Sequence, residues 1–514
     1  MVQVRATIEP IVVTAEQMRQ IEARIFAAGM PVAALMEKVA QLITTRIREL
    51  YPPSKISRIG VLVGPGHNGG DALVVARELH LQGYQISIYC PLTKLKELTT
   101  SHANYARSLQ IPFSTEIQSL QNCELIIDGL FGFGLTRPIS GAITTAINQL
   151  NQWSKPVLSI DLPSGIHTDT GAVLGTAVDA TYTLCLGLWK LAFCQDQALK
   201  WMGKAELIDF AIPLVDIEAI LGQNPNLQRM TATKARQFLP LSRPLVTHKY
   251  QQGHLLLIGG SRRYAGSIIL AGLGARASGV GMLSIAVPES LQPILVSQLP
   301  EALIIGCPET EEGVIAQLPT QACQWQNYTI VACGPGITTE AKSLVQTVLA
   351  TDKPLILDAD GLNILAQLGT QTTLALRKGT TVLTPHLGEF KRFFPEITNP
   401  SQNQVNSAQI AAQTSGAIVL LKGARSVIAH PDGSGWLISE STPALARGGS
   451  GDVLTGLMGG LMAQNQLRNQ SLSATVATAA WCHAQAGILA AQARSQLGVD
   501  GVTLASYLTK VYGN

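Results

Sequence analysis

Short apolar runs rich in β-branched residues alternate with longer helical patterns along this chain, and the alternation occurs twice. In the first half, strands are predicted at 58–63, 85–90, 124–127 and 156–160, with helical stretches such as 72–81 and 142–150 between them. Strands that alternate with helices form parallel sheets covered by helices. The pattern therefore predicts an α/β fold, entered through a helix capped at 14–17 and a second helix from Pro31 to about residue 50.

A polar, loop-like stretch at 222–226 separates the two patterns. Beyond it, strands are predicted at 254–258, 283–287, 330–333, 355–357, 381–383 and 418–421, a hairpin around 432–435, and closing helices at about 451–464, 472–492 and 504–511. A chain of 514 residues is longer than one ordinary core supports. We therefore expect two tandem α/β domains, residues 1–225 and 226–514.

Composition argues against several classes of function. The formal net charge is +3, and no block of lysine or arginine suggests a nucleic-acid partner. The mean hydropathy is +0.22, but no uncharged apolar run is long enough for a membrane span. The eight cysteines form no CxxC pair, so reduced, buried thiols are expected. Residues 1–16 lack the apolar core of a secretory signal, and a cytoplasmic location is expected.

The segment 447–452 contains three glycines, then Asp452, then an apolar helical run. Peptide N–H groups at a helix start bind anions, and the helix dipole favours negative charge there, so this segment predicts a phosphate site. A carboxylate beside phosphate needs a chemical reason. Asp452 would be the base that takes a proton from a hydroxyl as that hydroxyl attacks a terminal phosphoryl group. The alternative is an ordinary helix N-terminus with an acidic first turn.

Three successive strands of the first half end in loops rich in glycine and carboxylates, at 64–71, 128–138 and 161–165. The carboxyl ends of an open parallel sheet form its ligand crevice, so these loops should meet. Asn68, Asp128 and Ser164 could offer hard oxygen ligands to a cation, which leaves Asp161 free to face a substrate. For each residue the alternative is an Asx turn or a strand-end cap.

Loops of the second half carry a similar set of polar residues. Asp358 and Asp360 follow a strand and could hold Mg²⁺ directly or through water. Lys422 is placed to meet phosphate charge. His386 is interpreted as a substrate contact, and a core or capping histidine is the alternative. Glu389 is either part of that contact or a first-turn acid.

The first-half loops resemble the signatures of the NAD(P)H-hydrate epimerase domain, in Asn68-Gly69-Gly70-Asp71, in Asp128 with 132–138, and in 161–165. The resemblance implies a Rossmann-like domain that interconverts the R and S forms of NADHX and NADPHX, the cofactors hydrated at nicotinamide C6. It implies a K⁺ site at Asn68, Asp128 and Ser164, and a catalytic Asp161. His67 stands where the family usually has asparagine. Implied substrate contacts are His67, Asn68, Gly69, Gly70, Asp71, Gly132, Phe133, Gly134, Leu135, Thr136, Arg137, Pro138 and Asp161.

Residues 230–514 resemble the ADP/ATP-dependent NAD(P)H-hydrate dehydratase, a ribokinase-like α/β fold. The resemblance implies that Asp452 is the catalytic base and that Mg²⁺ accompanies ADP or ATP, with ADP favoured by the likeness to bacterial fused enzymes. Ser267 stands where the family usually has alanine. Implied contacts to the hydrated cofactor are Ser267, Gly336, His386 and Asp452, and implied nucleotide contacts are Lys422, Gly423, Ala424, Arg425, Ser426 and Gly451.

Together the two resemblances imply one bifunctional repair enzyme that epimerises NAD(P)HX and dehydrates the S form to NAD(P)H through phosphorylation of the C6 hydroxyl. Expected partners are NAD(P)HX and ADP or ATP, with no nucleic acid and no membrane, in a homo-oligomer. One alternative is a ribokinase-like small-molecule kinase with a nucleotide-sensing N-terminal domain, which the set Asn68, Asp128, Asp161 and Ser164 disfavours. Another is an interaction scaffold with decayed sites, which the intact Asp452 loop disfavours.

Overall fold

The computed structural model describes residues 4–513; residue 514 and residues 1–3, the start of the segment without a signal-like apolar core, lie outside the described residues. The chain divides into two units, Met1–Pro225 and Asn226–Asn514. Each unit contains a mainly parallel sheet with helices on its faces. The predicted fold class, two tandem α/β domains, is confirmed.

The first unit is built on a seven-stranded parallel sheet with the order β4-β3-β2-β5-β6-β7-β9, and β1 pairs separately with β8. Its strands are β1 (Val12–Val13), β2 (Arg58–Val63), β3 (Gln85–Tyr89), β4 (Phe113–Ser114), β5 (Leu125–Gly129), β6 (Val157–Ile160), β7 (Tyr182–Leu186), β8 (Trp189–Lys190) and β9 (Lys204–Ile208). Its helices are α1 (Ala15–Ala27), α2 (Val32–Leu50), α3 (His67–Leu81), α4 (Glu97–Ser108), α5 (Ala142–Leu150), α6 (Leu199–Met202) and α7 (Leu214–Leu221).

In the first unit the predicted helix cap is confirmed, whereas one predicted helix start is wrong. The capping box predicted at 14–17 forms, because the Thr14 hydroxyl accepts from the Gln17 N–H and the Gln17 side chain accepts from the Thr14 N–H. The helix predicted from residue 72 begins earlier, at His67. Its first turn contains Gly69, and a Cβ there would lie 1.9 Å from the Gly64 carbonyl oxygen. This glycine marks close backbone packing inside the helix rather than a loop.

Two strands of the first sheet, β7 and β9, were absent from the sequence prediction, as was the short β4 that pairs with β3. β7 pairs with β6 and extends the row of carboxyl ends from which the loops rise. The turn after it leads to Lys190, whose side chain is fully buried. The missed strand therefore brings a charged group into the core next to the predicted site.

The second unit contains a ten-stranded sheet with the order β10-β19-β18-β17-β16-β15-β14-β11-β12-β13. Its strands are β10 (Leu227–Arg229), β11 (His254–Ile258), β12 (Met282–Pro288), β13 (Leu303–Cys307), β14 (Ile330–Cys333), β15 (Leu355–Leu357), β16 (Thr381–Leu383), β17 (Ile418–Leu421), β18 (Val427–Ala429) and β19 (Gly435–Leu437). Only β18 runs antiparallel to its neighbours among the described strands, and β18 with β19 forms the predicted hairpin.

Eleven helices accompany this sheet within the described residues. They are α8 (Ala232–Phe238), α9 (Ala265–Ala277), α10 (Gln292–Gln298), α11 (Lys342–Leu349), α12 (Ala359–Leu368), α13 (Thr370–Leu374), α14 (Leu387–Phe393), α15 (Gln404–Ser415), α16 (Ser450–Leu467), α17 (Leu472–Arg494) and α18 (Gly501–Gly513).

Helices α9 and α16 pack with their backbones in contact. A Cβ on Gly456 would lie 1.7 Å from the Ala271 carbonyl oxygen, and a Cβ on Gly274 would lie 2.1 Å from the Val453 carbonyl oxygen. Because only glycine allows such an approach, these two positions fix one helix against the other. The N-terminal turns of α9 and α16 are thereby held side by side.

The predicted cysteine chemistry agrees with the structure, in which all eight cysteines are free and all except Cys323 are buried. Within residues 4–513 no single helix is long and apolar enough to cross a bilayer, although α1 and α2, bent by 120° at their junction, pass that test as a pair on length and composition alone.

Candidate functional site

A cavity of about 590 Å³ opens at the carboxyl ends of the first unit's strands. Eight of the predicted substrate contacts line it: His67, Asn68, Asp71, Gly132, Phe133, Gly134, Leu135 and Asp161. The other five do not. Gly69 and Gly70 pack against Gly64 and Met36, and Thr136, Arg137 and Pro138 are exposed farther along their loop. The three loops therefore meet as predicted, while part of the last loop lies outside the cavity wall.

Asp161 is not free, in contrast to the sequence interpretation. One of its carboxylate oxygens accepts from the Lys190 Nζ at 2.5 Å and from the Leu186 N–H at 3.4 Å, and the other accepts from the Phe133 N–H at 2.7 Å. Its φ of +69° is a conformation that non-glycine residues rarely adopt, and such strain is typical of functional sites. Burial disfavours the charged form of Lys190, but the Asp161 carboxylate outweighs it and raises the lysine pKa.

Two further carboxyl groups, Glu22 and Asp71, line the same cavity. Burial raises the pKa of Glu22 to about 7, where the Lys190 ammonium partly opposes it and the Asp161 charge reinforces it. Burial raises the pKa of Asp71 well above its usual range, and the charges of Asp161 and Glu22 add to that rise. The cavity thus collects three carboxyl groups and two lysines, Lys96 and Lys190.

Asp128 is fully buried and is not among the residues that line the cavity. It accepts from the Ser159 hydroxyl, the Leu130 N–H, and both the N–H and the hydroxyl of Ser164. Burial raises its pKa, although these donors act in the opposite direction. The Ser164 hydroxyl lies 2.6 Å from Asp128 and 3.2 Å from the Phe131 carbonyl oxygen, so it can turn from one to the other.

The predicted cation ligands fit a K⁺ ion in their chemistry. The buried Nδ2 atom of Asn68 has no hydrogen-bond partner among the described residues. Oxygen and nitrogen of an amide exchange places on a flip, so this side chain can present its oxygen instead. That amide, the Asp128 carboxylate and the Ser164 hydroxyl supply hard oxygens, and the carboxylate gains from a nearby positive charge.

In the second unit, Asp452 occupies the first turn of α16, after Gly449 with a φ of +89°. Burial raises the pKa of Asp452 to about 7 and the charge of Asp358 adds to the rise, while a hydrogen bond with the Ser267 side chain and the charge of Lys422 lower it. Ser267 lies on α9, and a Cβ added to Gly336 would be 3.2 Å from the Ser267 Cβ. Three of the predicted contacts to the hydrated cofactor are therefore neighbours.

Two of the three glycines that precede Asp452 face open space, whereas a Cβ on Gly449 would lie 2.4 Å from Leu270. A Cβ on Gly448 would meet nothing within 4 Å, and a Cβ on Gly451 would meet only the Lys422 Nζ, at 3.6 Å. Gly266, at the N-terminus of α9, is equally open. Two helix N-termini thus present uncovered backbone to the same region, which suits an anionic ligand.

Lys422 and the buried Asp358 form a partly buried ion pair, with the Nζ 2.9 Å from the carboxylate. The Thr384 and Thr455 hydroxyls also donate to Asp358. Burial works against the charged form of both partners, but their attraction outweighs it, lowering the pKa of Asp358 and raising that of Lys422. Lys422 is therefore a charged group held at the edge of the glycine-lined region.

His386 is a helix cap, which is the alternative interpretation of this residue. Its Nδ1 accepts from the N–H groups of Gly388 and Glu389, and the Glu389 carboxylate accepts from the His386 N–H. Glu389 is thus the first-turn acid of α14. Because Nδ1 accepts, the neutral ring carries its proton on Nε2. The ring is 57% exposed, its Nε2 lies 3.6 Å from the Glu389 carboxylate, and the His386 backbone forms a parallel bridge with Lys422.

His483 is a buried group that the sequence did not single out. Its Nε2 donates to the Ser450 carbonyl oxygen at 2.9 Å and lies 3.2 Å from the Ser450 hydroxyl. Burial lowers the pKa of His483 to about 4, so the ring is neutral. The neutral ring anchors the first residue of α16 directly before Gly451.

The predicted nucleotide loop lies at the surface. The Ser426 hydroxyl and the Gly423 N–H are hydrogen-bonded across its turn, and Gly423 and Ala424 are exposed. Arg425 lines an open groove of about 500 Å³ that continues along 440–443 to α17. Polar side chains that line this groove include Arg425, Glu440, Ser441, Thr442 and Gln492.

The carboxylates predicted to hold Mg²⁺ directly are engaged elsewhere. Asp358 is paired with Lys422, and Asp360 accepts from the Thr338 N–H and the Asn363 amide. Within residues 4–513 no group of three or more His, Cys, Asp or Glu side chains could hold a metal ion. Mg²⁺ commonly keeps several waters and binds substrate phosphates, so a nucleotide-borne ion fits these residues better than a protein cage.

Comparisons with known proteins cover both units. The family described as "YjeF-related protein N-terminus" matches residues 32–192, and the family described as "NAD(P)H-hydrate dehydratase" matches 255–510. A bifunctional NAD(P)H-hydrate repair enzyme of Synechocystis sp. is 56% identical over 97% of this chain and 94% of that protein, and one of Thermosynechococcus vestitus is 50% identical over 97% of each. The chain belongs to the family of bifunctional NAD(P)H-hydrate repair enzymes.

Among solved structures, the ADP/ATP-dependent NAD(P)H-hydrate dehydratase from Bacillus subtilis, co-crystallised with ATP/Mg²⁺, is similar to part of the chain. It is 31% identical, and the match covers 55% of this chain and 97% of that one with a TM-score of 0.47. Membership of the repair-enzyme family, which the full-length relatives decide, favours the bifunctional interpretation over the small-molecule kinase.

Within this repair-enzyme framework, the sequence analysis missed Glu22, Lys190 and His483. Lys190 had one detectable signal, since it is a lone charge in the apolar stretch 184–194. Glu22 belongs to a helix whose other polar residues are mostly solvated. Glu22 lines a cavity that forms only in the folded unit, so no short sequence pattern could predict its position.

Proposed function

We propose that the first unit interconverts R- and S-NAD(P)HX and that the second dehydrates the S form to NAD(P)H at the expense of ADP or ATP. The observation that carries the proposal is the position of Asp452. A half-buried carboxyl with a pKa of about 7 stands beside open glycine backbone and the charged Lys422. This arrangement suits a base that works beside phosphate.

In the second unit, Asp452 takes the proton of the C6 hydroxyl, and the hydroxyl oxygen attacks the terminal phosphoryl group of the nucleotide. ADP loses its β-phosphoryl group, or ATP its γ-phosphoryl group, and the nucleotide product leaves. The ring nitrogen lone pair then expels the new phosphate ester as inorganic phosphate. Loss of a proton from C5 restores the dihydronicotinamide. No redox partner is needed, because the oxidation level of the ring carbons does not change overall.

Lys422 and the peptide N–H groups of Gly448, Gly449 and Gly451 stabilise the negative charge that develops on the transferred phosphoryl group. Mg²⁺, when bound with the nucleotide, supplies further positive charge at the phosphates. Ser267 orients the Asp452 carboxylate, and His386 offers its Nε2–H as a donor to substrate. Residues 422–426 follow the nucleotide along the groove at Arg425.

In the first unit, the cavity takes the nicotinamide ring of either epimer, with Asp161 held as a fixed charge by Lys190. A K⁺ ion would be held by Asn68, Asp128 and Ser164, where it supplies a positive charge next to the buried carboxylate. A readout independent of activity is thermal unfolding of the first unit, which should be higher in K⁺ than in Na⁺ at equal ionic strength. Asp128→Asn should abolish the difference, and a persisting difference would remove Asp128 from the ion site.

A mixture of R- and S-NADHX with ADP and Mg²⁺ tests both activities in one cuvette through the absorbance of NADH. Complete recovery, faster than spontaneous epimerisation allows, supports both. Recovery that stops when the S form is exhausted supports the second activity alone. If no NADH returns with either ADP or ATP, the proposed dehydratase is wrong.

A further inference from the structure

The first unit's cavity contains two carboxyl groups, Glu22 and Asp71, that have no structural partner. We propose that Glu22 is a catalytic residue of the epimerase, the group that takes and returns the C6 hydroxyl proton, with Asp71 as its acid partner. The inference rests on the proposed epimerase function and assigns its proton-transfer groups.

The geometry separates these two groups from Asp161. Neither the Glu22 nor the Asp71 carboxyl has a hydrogen bond or ion pair to another residue in the range 4–513, and both line the cavity. Both oxygens of Asp161 are already occupied by donors. A group that carries protons needs an oxygen available to substrate, whereas a saturated carboxylate holds its charge.

Glu22 reaches the cavity through the helical periodicity of α1. Met18, Ile21 and Ile25 form the buried face of this helix. The neighbouring stripe, formed by Arg19, Glu22, Ala23 and Phe26, lines the cavity. Residues three and four apart share a helix face, so one arginine, one carboxyl group and one aromatic ring of α1 all line the cavity. This places the helix in the epimerase site rather than only in the core.

The charged and titratable groups that share the cavity with Glu22 come from several elements: Arg19, His67, Asp71, Lys96, Asp161 and Lys190. Burial raises the pKa of Glu22 to about 7. The positive charges of Lys190 and Arg19 lower this pKa, and the negative charge of Asp161 raises it. Burial, together with the charges of Asp161 and Glu22, raises the pKa of Asp71 well above its usual range. Because two carboxylates in one cavity repel each other, the pair favours the state in which one carboxyl is ionised and the other is protonated.

The chemistry needs such a pair. C6 of NAD(P)HX bears a hydroxyl group and the ring nitrogen N1, so it can invert as a sugar anomer does. The Glu22 carboxylate takes the hydroxyl proton, the C6=O bond forms, and the C6–N1 bond breaks with its electron pair going to N1, which takes a proton from Asp71. Rotation about C5–C6 exposes the other aldehyde face. Attack of N1 then returns one proton to Asp71 and Glu22 returns the other to oxygen. Atoms and electrons balance with no co-reactant.

The test uses the full chain with R-NADHX alone, ADP and Mg²⁺, and compares wild type, Glu22→Gln, Glu22→Asp and the exposed surface control Glu218→Gln. Epimerisation limits the return of NADH from this epimer, and S-NADHX given to the same preparations measures the other site. After subtraction of spontaneous epimerisation, Glu22→Gln should consume R-NADHX roughly 10²–10⁴-fold more slowly. S-NADHX consumption and both activities of Glu218→Gln should be unchanged.

A pH profile distinguishes catalysis from a structural role. The wild-type rate with R-NADHX should rise with pH through about 7, because the base must be ionised. The residual rate of Glu22→Gln should lack that step, and Glu22→Asp, which keeps a carboxyl group, should retain it at lower amplitude. An R-NADHX rate within threefold of wild type in Glu22→Gln, or a slow variant with the unchanged profile, overturns the inference. Wild type that does not exceed the spontaneous rate instead overturns the proposed epimerase.

Discussion

Asp161 and Asp452 are the two aspartates predicted to be catalytic, and the structure gives them opposite surroundings. Asp161 is saturated by a buried lysine and two backbone N–H groups. Asp452 shares one side-chain hydrogen bond, with Ser267, and burial raises its pKa to about 7. A carboxylate with its lone pairs occupied maintains a charge and a geometry, whereas one that is poorly solvated and sparsely bonded is ready to accept a proton.

The strongest test of this contrast is Asp452→Asn. Removal of a general base should slow dehydration of S-NADHX with ADP roughly 10²–10⁴-fold, because the amide cannot take the hydroxyl proton. Epimerisation, followed by chromatographic exchange of the two epimers, should be unchanged. Near-normal ADP-dependent turnover in this variant would remove Asp452 from the mechanism.

The fixed charge of Asp161 is tested through its partner. Lys190→Met leaves a buried carboxylate unpaired, so unfolding of the first unit should lose about 3–5 kcal/mol of stability, measured by urea denaturation. Epimerisation should fail with it. In the double variant with Asp161→Asn, much of the stability should return while epimerisation stays lost. If Lys190→Met alone is as stable as wild type, the pair does not hold the site.

The pH dependence of the second activity follows from the sign of the Asp452 shift. The base acts when ionised, and burial raises its pKa to about 7. The value of kcat/KM for S-NADHX should therefore rise with pH up to a plateau above about 8 and fall tenfold per pH unit below about 6. A rate that is flat between these limits would show that the proton leaves before this step or to another group.

The smallest expected effect belongs to Ser267→Ala. Loss of its hydrogen bond removes an influence that lowers the pKa of Asp452, so the rising limb of the pH profile should move to higher pH by less than about one unit. Above the limb the rate should change little. Ser267→Thr, which keeps a hydroxyl, is the matched control, and an identical limb in Ser267→Ala would show that Ser267 does not tune the base.

Sequence patterns were sufficient for most of the sheets, since strands at 58–63, 254–258, 330–333, 355–357, 381–383 and 418–421 have the predicted bounds. The patterns also predicted that Asp161 and Asn68 lie in one cavity, because parallel strands end at the same edge of the sheet. The patterns could not predict the role of Lys190, because its partner Asp161 is 29 residues away and the strands around Lys190 were not predicted. The Lys422–Asp358 pair was equally hidden, because each residue alone suggested a ligand to phosphate or metal.

The backbone contact between α9 and α16 has a consequence for which mutations this protein can tolerate. Gly456 is four residues after Asp452, and its packing against Ala271 leaves no space for even a methyl group. A change to alanine there would separate Ser267 from Asp452 without touching either side chain. Sequence variation that inactivates the second activity should therefore be concentrated along the inner face of α16 as well as in the ligand-facing loops, and a survey restricted to ligand contacts would overlook it.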